Sequence, residues 1–342
     1  MTHDFKPVLA ITLGDPCGVG PEIILKALRR DDVYAACRPL VVGDRRILER
    51  AAAWAGATDM VFDPVDNPEC GQYQPGKITL LDLANADPAE CPPGQLSAAA
   101  GRAAAGYVIT ACDLALAGAV EAVVTAPLNK EALKMGGIAF PGHTELLQHR
   151  TGAEKVSMLL ASEKLRVIHV STHVALEEAI RSVTRARVEA VIALAQEACA
   201  ALGVASPRIG VAGLNPHAGE NGLFGTQEQQ EILPAVQASR QKGFTVSDPL
   251  APDTVFLRAV QGEFDVVVAM YHDQGHIPMK LLAFDSGVNI SIGLPIIRTS
   301  VDHGTAFDIA GKGTASENSL LAAIAAAVQL VHAKRSSHGK LP

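Results

Sequence analysis

Val266-Val267-Val268-Ala269-Met270-Tyr271-His272-Asp273-Gln274-Gly275-His276 reads as a buried strand that opens into a glycine turn, with His272 and Asp273 at its mouth. A short, continuous apolar run bounded by turn residues is what a strand covered on both faces by helices requires. Two other histidines stand in the same kind of place. His173 follows Val167-Ile168-His169-Val170-Ser171-Thr172, and His217 follows Ile209-Gly210-Val211-Ala212-Gly213-Leu214 and the turn Asn215-Pro216. Open α/β sheets collect ligands at the carboxyl ends of their strands, so three histidines just past three strands predict one metal site. Neutral imidazole suits Zn, Co, Fe, Mn and Ni, and three such ligands leave positions open for substrate oxygens. Taken singly, each reads better as an ordinary polar loop residue; the joint pattern reverses that preference. His169 and His276 are nearby competitors, and His169, inside an apolar run, reads as core.

Outward from these motifs, strand and helix signals alternate along the whole chain. Val8–Leu13, Leu40–Val42, Ile78–Leu81, Ala122–Thr125, Ile209–Ala212, Val266–Met270 and Val288–Ile292 read as strands, with Val156–Leu160 and Leu165–Ser171 as a strand pair. Helices are expected from Pro21 to about Arg30, over Leu96–Ala117, Ala186–Leu202, Gln227–Arg240 and Ser319–Val331. Proline in a first helical turn is favourable. The stretches 57–77 and 84–94 read as loops, and the polar tail 333–342 as frayed. Such βα alternation predicts a mostly parallel sheet flanked by helices.

The chain has 342 residues, long for a single core, so two domains are expected. Apolar residues make up 48% and aromatics only 4%, so Ala, Val, Leu and Ile must build the core, as suits an α/β protein. A net charge of −7 without a basic stretch argues against nucleic acid as a partner, while leaving room for a locally basic pocket. The six cysteines are scattered and none forms a C-x-x-C pair, as in a reduced cytoplasmic protein. No run reaches transmembrane length and the start lacks the apolar segment of a signal peptide.

Three further constellations carry chemistry. Gly136-Gly137-Ile138-Ala139-Phe140-Pro141-Gly142-His143-Thr144-Glu145 puts a Gly/Pro loop before a helix, whose first amides suit a phosphate or carboxylate; a helix cap by Thr144 is the plainer reading. Lys280, Asn289 and Arg298 surround the Val288–Ile292 strand and offer charge to an anion, Arg298 bidentately. Taken singly, each of these reads better as a solvated surface residue. Of the glycine segments Leu13–Glu22 and Val301–Gly313, the first has neither the G-K-[ST] ending of a phosphate loop nor G-x-G-x-x-G, and as plain glycine turns the two would mean little.

The second glycine segment resembles the His-Gly-Ser-Ala-Pro-Asp-Ile-Ala-Gly-Lys-Gly stretch of the isocitrate and isopropylmalate dehydrogenases, and the first resembles their Gly-Asp-Gly-Ile-Gly-Pro-Glu start. Those enzymes bind NAD(P) without a Rossmann domain. A closer resemblance runs through Gly14-Asp15-Pro16, Gly20-Pro21-Glu22, Pro141-Gly142-His143-Thr144-Glu145, Tyr271-His272-Asp273-Gln274-Gly275 and Arg298-Thr299-Ser300-Val301-Asp302-His303-Gly304-Thr305-Ala306. It is to the 4-hydroxythreonine-4-phosphate dehydrogenase family of pyridoxal phosphate biosynthesis, over nearly the whole chain.

The resemblance implies two α/β/α domains with a cleft between them, residues 1–135 with 295–342 on the cofactor side and 136–294 carrying metal, substrate and the dimer contact. It implies one divalent metal (Zn, Co, Mg or Mn) on His173, His217 and His272, and substrate contacts from His143, Thr144, Lys280, Asn289 and Arg298. NAD or NADP would lie by His303, Gly304 and Asp308, with Lys280, Asp253 and Asp273 as candidates for proton transfer or for orienting a ligand. A homodimer that shares its active site is also implied. The expected reaction is oxidation of a 4-phosphorylated 3-hydroxy acid, then decarboxylation. Much of the family has Leu-Pro after His-Asp-Gln-Gly, where this chain has His276-Ile277-Pro278, which resembles a sister branch acting on 4-phospho-D-threonate or 4-phospho-D-erythronate. A cis-dihydrodiol dicarboxylate dehydrogenase and a metal-dependent lyase or hydrolase without nicotinamide are the alternatives.

Overall fold

A computed structural model describes residues 5–283 and 286–338. Among them the strands run, in chain order, β1 Val8–Thr12, β2 Arg38–Gly43, β3 Val61–Pro64, β4 Lys77–Asp82, β5 Ala122–Thr125, β6 Ser157–Ala161, β7 Arg166–His169, β8 Arg208–Ala212, β9 Thr245–Leu250, β10 Val266–Ala269, β11 Val288–Ile292 and β12 Ile297–Val301. The chain divides into two compact units. The first holds the residues up to Glu154 together with Leu294–His332; the second holds Lys155–Gly293 and the chain from Ala333.

The strands of the first unit follow the order β3-β4-β2-β1-β5-β12, and every pairing is parallel. Leu9, Ile11, Val41, Val123 and Val124 are fully buried, as strands covered on both faces must be. The helix Ala98–Leu116 packs on β1, β2 and β5. Ser97 caps its start by accepting from Ala100 N at 3.2 Å. Residues 136–154 belong to this unit; the helix His143–Thr151 lies on Ala98–Leu116, where Arg150 pairs with Asp113 at 2.7 Å.

The second unit follows β11-β6-β7-β10-β8-β9. β7, β10, β8 and β9 are parallel, whereas β11 and β6 run antiparallel to their neighbours. Met158, Leu160, Val167, Val255, Val267 and Met279 make its core.

Both units are α/β, as expected. Three strands are absent from the sequence reading, each for a physical reason. β3 falls inside the stretch expected to be loop; it is a four-residue edge strand with Val61 55% exposed, so no apolar run marks it. β9 is also an edge strand and contains Asp248 and Pro249. β12 buries Arg298, Thr299 and Ser300, polar residues that break the apolar pattern of a central strand. The last helix, Asn318–His338, runs past Val331 into the tail read as frayed; residues 339–342 lie outside the described residues. Among the described residues no helix is long and apolar enough to cross a membrane.

Candidate active site

In the second unit, β7 and β10 pair in parallel with His169 opposite Ala269, so their carboxyl ends open side by side. Val170 N donates to Ala269 O at 2.8 Å and Ser171 Oγ to Met270 O at 3.0 Å, which zips the two loops together just past the strands. His173 sits in the first loop; His272 is the first residue of the helix His272–Ala283 that follows the second. Their ring centroids are 5.5 Å apart. Both line a hollow of about 340 Å³ with Thr172, Tyr271 and Asp273.

The His272 Nδ1 is bonded to Asp273 Oδ1 at 2.6 Å. A carboxylate on Nδ1 fixes the tautomer and leaves Nε2 as a lone-pair donor, the arrangement that metal-ligating histidines show. His276 stacks on His272 with ring centroids 3.6 Å apart, and His169 lies 4.8 Å from His276. Burial pulls the pKa of His169 down to about 3 and that of His276 down to about 4, and neighbouring imidazoles add to the shift. His169 is fully buried, as a core residue should be.

His217 stands apart from this pair. It follows β8 in the turn Pro216–Gly222, with its ring well exposed and Nδ1 bonded to Glu220 Oε2 at 3.0 Å. That hydrogen bond raises its pKa, and the charge of Asp253, in the first turn of the helix Pro252–Val260, adds to the rise. Among the described residues no three His, Cys, Asp or Glu side chains stand close enough together to hold a metal ion. The donor chemistry nevertheless fits one: His217 and His272 each carry a carboxylate on Nδ1 and both rings reach solvent. Lys280 is exposed on the helix that starts at His272. Asn289 lies on β11, its Nδ2 against Met158 Sδ at 2.8 Å and its buried Oδ1 without a hydrogen-bond partner.

The first unit buries a cation. Arg298 on β12 is 2% exposed, and its Nε and Nη2 donate to Thr125 Oγ1 on β5 at 3.2 and 2.6 Å. Burial pulls its pKa down to about 9, which leaves it charged at neutral pH, and the Glu145 carboxylate works in the opposite sense. His143 opens the helix His143–Thr151. Burial, then the charges of Arg298 and Lys130, hold its pKa well below the ordinary value, so the ring is neutral. Its Nε2 is buried without a hydrogen-bond partner. An orphaned buried nitrogen beside a buried guanidinium is completed by an anion or a hydroxyl-bearing ligand. Thr144 does not cap the helix: the N-cap is Gly142, with no side-chain bond, so the first amides stay available.

The two glycine segments meet in this unit. Val19 N donates to Thr305 O at 3.1 Å, and the Glu22 carboxylate accepts Gly313 N at 3.2 Å and Ala315 N at 2.8 Å. A Cβ on Gly18 would stand 3.0 Å from Thr305 O, so any larger residue there would crowd the approach. His303 Nδ1 is bonded to Gly304 O at 2.9 Å while its buried Nε2 has no partner. A Cβ on Gly304 would meet only open space, and Asp308 O accepts Lys312 Nζ at 2.6 Å.

Sequence reasoning missed Thr125, which anchors Arg298, and Glu220, which orients His217. Thr125 is the last residue of β5 and gains its role only from the pairing of β5 with β12; Glu220 is concealed by an irregular turn.

Comparison with known proteins converges on one family. A family model described as pyridoxal phosphate biosynthetic protein PdxA matches residues 35–327. The D-threonate 4-phosphate dehydrogenase of Cupriavidus necator is 52% identical over 328 residues, covering 96% of this chain and 98% of the relative. The 4-hydroxythreonine-4-phosphate dehydrogenase of Desulfosudis oleivorans is 50% identical over 331 residues, covering 94% and 96%. The crystal structure of 4-hydroxythreonine-4-phosphate dehydrogenase from Klebsiella pneumoniae superposes with a TM-score of 0.86 at 46% identity, covering 96% of this chain and 98% of the other.

Proposed function

This chain belongs to the PdxA family, and from that premise we propose that it is an NAD(P)-linked, metal-dependent dehydrogenase that oxidises a 4-phosphorylated 3-hydroxy acid, whose 3-keto product then loses CO2. The observation that carries the reading is the His173–His272 pair, 5.5 Å apart at adjacent parallel strand ends, with Asp273 on His272 Nδ1.

We assign the metal to His173, His217 and His272, with the third ligand joining through a second copy of the chain. Large apolar side chains support that copy. Leu176 and Ile180 on one helix, and Ile277 and Leu281 on another, form i,i+4 pairs that are 42–82% exposed. A divalent cation there would polarise the substrate hydroxyl, and a nicotinamide would supply the hydride acceptor.

The chain's own groups do the rest. In the first unit, Arg298 supplies buried charge and neutral His143, with the free amides at Thr144, supplies hydrogen bonds to the substrate's anionic groups. The loop holding His303, Gly304 and Asp308 is assigned to the nucleotide. In the second unit, Lys280 and Asn289 are assigned to substrate, and Lys280, Asp253 and Asp273 to proton transfer or to holding a ligand histidine. The 52% and 50% identities to relatives of the two substrate names do not choose between them. The stretch His276-Ile277-Pro278, which resembles the sister branch acting on 4-phospho-D-threonate or 4-phospho-D-erythronate, supports D-threonate 4-phosphate as the first substrate to test.

The test is nucleotide reduction with NAD+ and NADP+ on D-threonate 4-phosphate, D-erythronate 4-phosphate and 4-hydroxythreonine 4-phosphate, alongside CO2 release. D-Threonate 4-phosphate should give the highest kcat/KM, and chelation or His173→Ala should abolish turnover without unfolding the protein. Full activity after both treatments refutes the metal role. No reduction with any of the three substrates refutes the reading as a whole.

A further inference from the structure

The turn that presents His217 is bent against its own preference. His217, Ala218, Gly219, Glu220 and Asn221 all have positive φ, between 43° and 78°. A left-handed backbone is unfavourable for ordinary L residues, so the rest of the structure must hold it in place. Glu228 is placed to do so. Its carboxylate is 4% exposed; Oε1 accepts Leu214 N at 2.8 Å and Asn215 N at 2.7 Å, and Oε2 accepts Asn215 Nδ2 at 3.0 Å. The glycines around it leave only enough room for that carboxylate. A Cβ on Gly219 would stand 2.7 Å from Oε2, and one on Gly213 would stand 3.2 Å from Oε1.

Gln274 fastens the base of the same turn to the other two strand ends. It is 8% exposed, its Oε1 accepts Met270 N at 2.6 Å, and its Nε2 donates to Gly213 O at 2.8 Å. Met270 is also the residue that Ser171 holds from the His173 loop. A continuous set of bonds therefore runs from the His173 loop through Met270 and Gln274 to Gly213, and from Leu214 and Asn215 to Glu228. No bond in this set touches a histidine ring.

We propose that Glu228 and Gln274 are positioning residues for metal binding: Glu228 holds the left-handed turn that presents His217, and Gln274 ties the base of that turn to the end of β10. The proposal rests on the metal reading above. It assigns a cost to two buried side chains whose hydrogen bonds go to backbone and to Asn215 and not to a histidine ring.

The experiment titrates Co2+ into metal-free protein and reads the dissociation constant for the unaltered chain, Glu228→Gln, Gln274→Met, His217→Ala and His217→Ala combined with Glu228→Gln. Glu228→Gln and Gln274→Met should each weaken binding roughly 10- to 100-fold, the loss typical when a group behind a metal ligand is removed. In the His217→Ala background, Glu228→Gln should weaken binding no further, because the ligand it positions is gone. If Glu228→Gln does not fold, Glu228→Asp, which keeps the charge but withdraws it from both amides, takes its place beside Gln274→Met. Binding by both single variants equal to that of the unaltered chain overturns the proposal. So does a Glu228→Gln loss that persists undiminished without His217, which would mark a general structural role. An unaltered chain that binds no Co2+ overturns the metal reading itself, an outcome distinct from the other two.

Discussion

Gly275→Ala should destabilise the protein even though it replaces glycine inside a helix. Gly275 lies in His272–Ala283, where alanine ordinarily gains about 1 kcal/mol over glycine. Here a Cβ would stand 2.6 Å from Val167 Cγ1 and well inside contact distance of His169 Nε2. Both neighbours are fully buried, Val167 on a central strand and His169 with Nδ1 against Met158 O at 3.3 Å, so neither can withdraw without moving a packed element. Overpacking of this kind costs about 1–3 kcal/mol, and two rigid neighbours place this site in the upper half of that range. The propensity gain offsets part of the clash and leaves a net loss of about 1–2 kcal/mol. The assay is urea unfolding followed by circular dichroism, repeated in a His169→Ala background. Removing the imidazole opens the site on one side, so the penalty for Gly275→Ala should shrink there by about 1 kcal/mol, a coupling that a double-mutant cycle resolves. A Gly275→Ala protein as stable as the parent, or a penalty unchanged without His169, refutes the reasoning.

Asp15 is fully buried, and burial raises its pKa to about 6 from 3.8, against the lowering effect of its bonds to Cys17 and Asn129. The folded state therefore binds the proton more tightly than the unfolded one, and this group's contribution to stability falls as pH rises from 3.8 to about 6. Asp15→Asn should be more stable than the parent by on the order of 3 kcal/mol at pH 7 and should lose that advantage near pH 4; equal gains at both pH values would refute the assignment. Arg298→Lys keeps a charge but loses the planar fork that reaches Thr125, so kcat/KM should fall by roughly 10- to 100-fold, the equivalent of one lost charge-assisted bond. An unchanged kcat/KM would remove Arg298 from the substrate assignment.

The parts of the fold that the sequence reveals are those where burial is uniform. Ala122–Thr125 is legible to the residue because all four of its positions are buried. β12 carries Arg298, Thr299 and Ser300 in a covered position, so polar residues inside the sheet are what hide it. The same holds for the site. His143 and Arg298 were flagged from charge and motif, whereas the Thr125 hydroxyl beneath Arg298 has no sequence signal, since its role comes from the parallel register of β5 and β12.

That register logic also explains why two of the three strand-end histidines meet and the third does not. His169 pairs with Ala269, so His173 stands four residues and His272 three residues beyond one common row. Two loops of nearly equal reach, bonded together through Ser171 and Met270, bring their rings within 5.5 Å. β8 pairs with β10 through Val211 and Val268, which puts Ala212 on the same row and His217 five residues beyond it. The added length is wound into the left-handed turn, and that turn bonds His217 to Glu220 instead of directing it to its neighbours. Within one chain, the sheet can set the height of all three histidines but the direction of only two. A site that uses all three must therefore take its last ligand from outside this chain's own β7–β10 corner. The exposed apolar pairs Leu176/Ile180 and Ile277/Leu281 lie on helices that follow the His173 and His272 loops, where the second copy proposed above would dock.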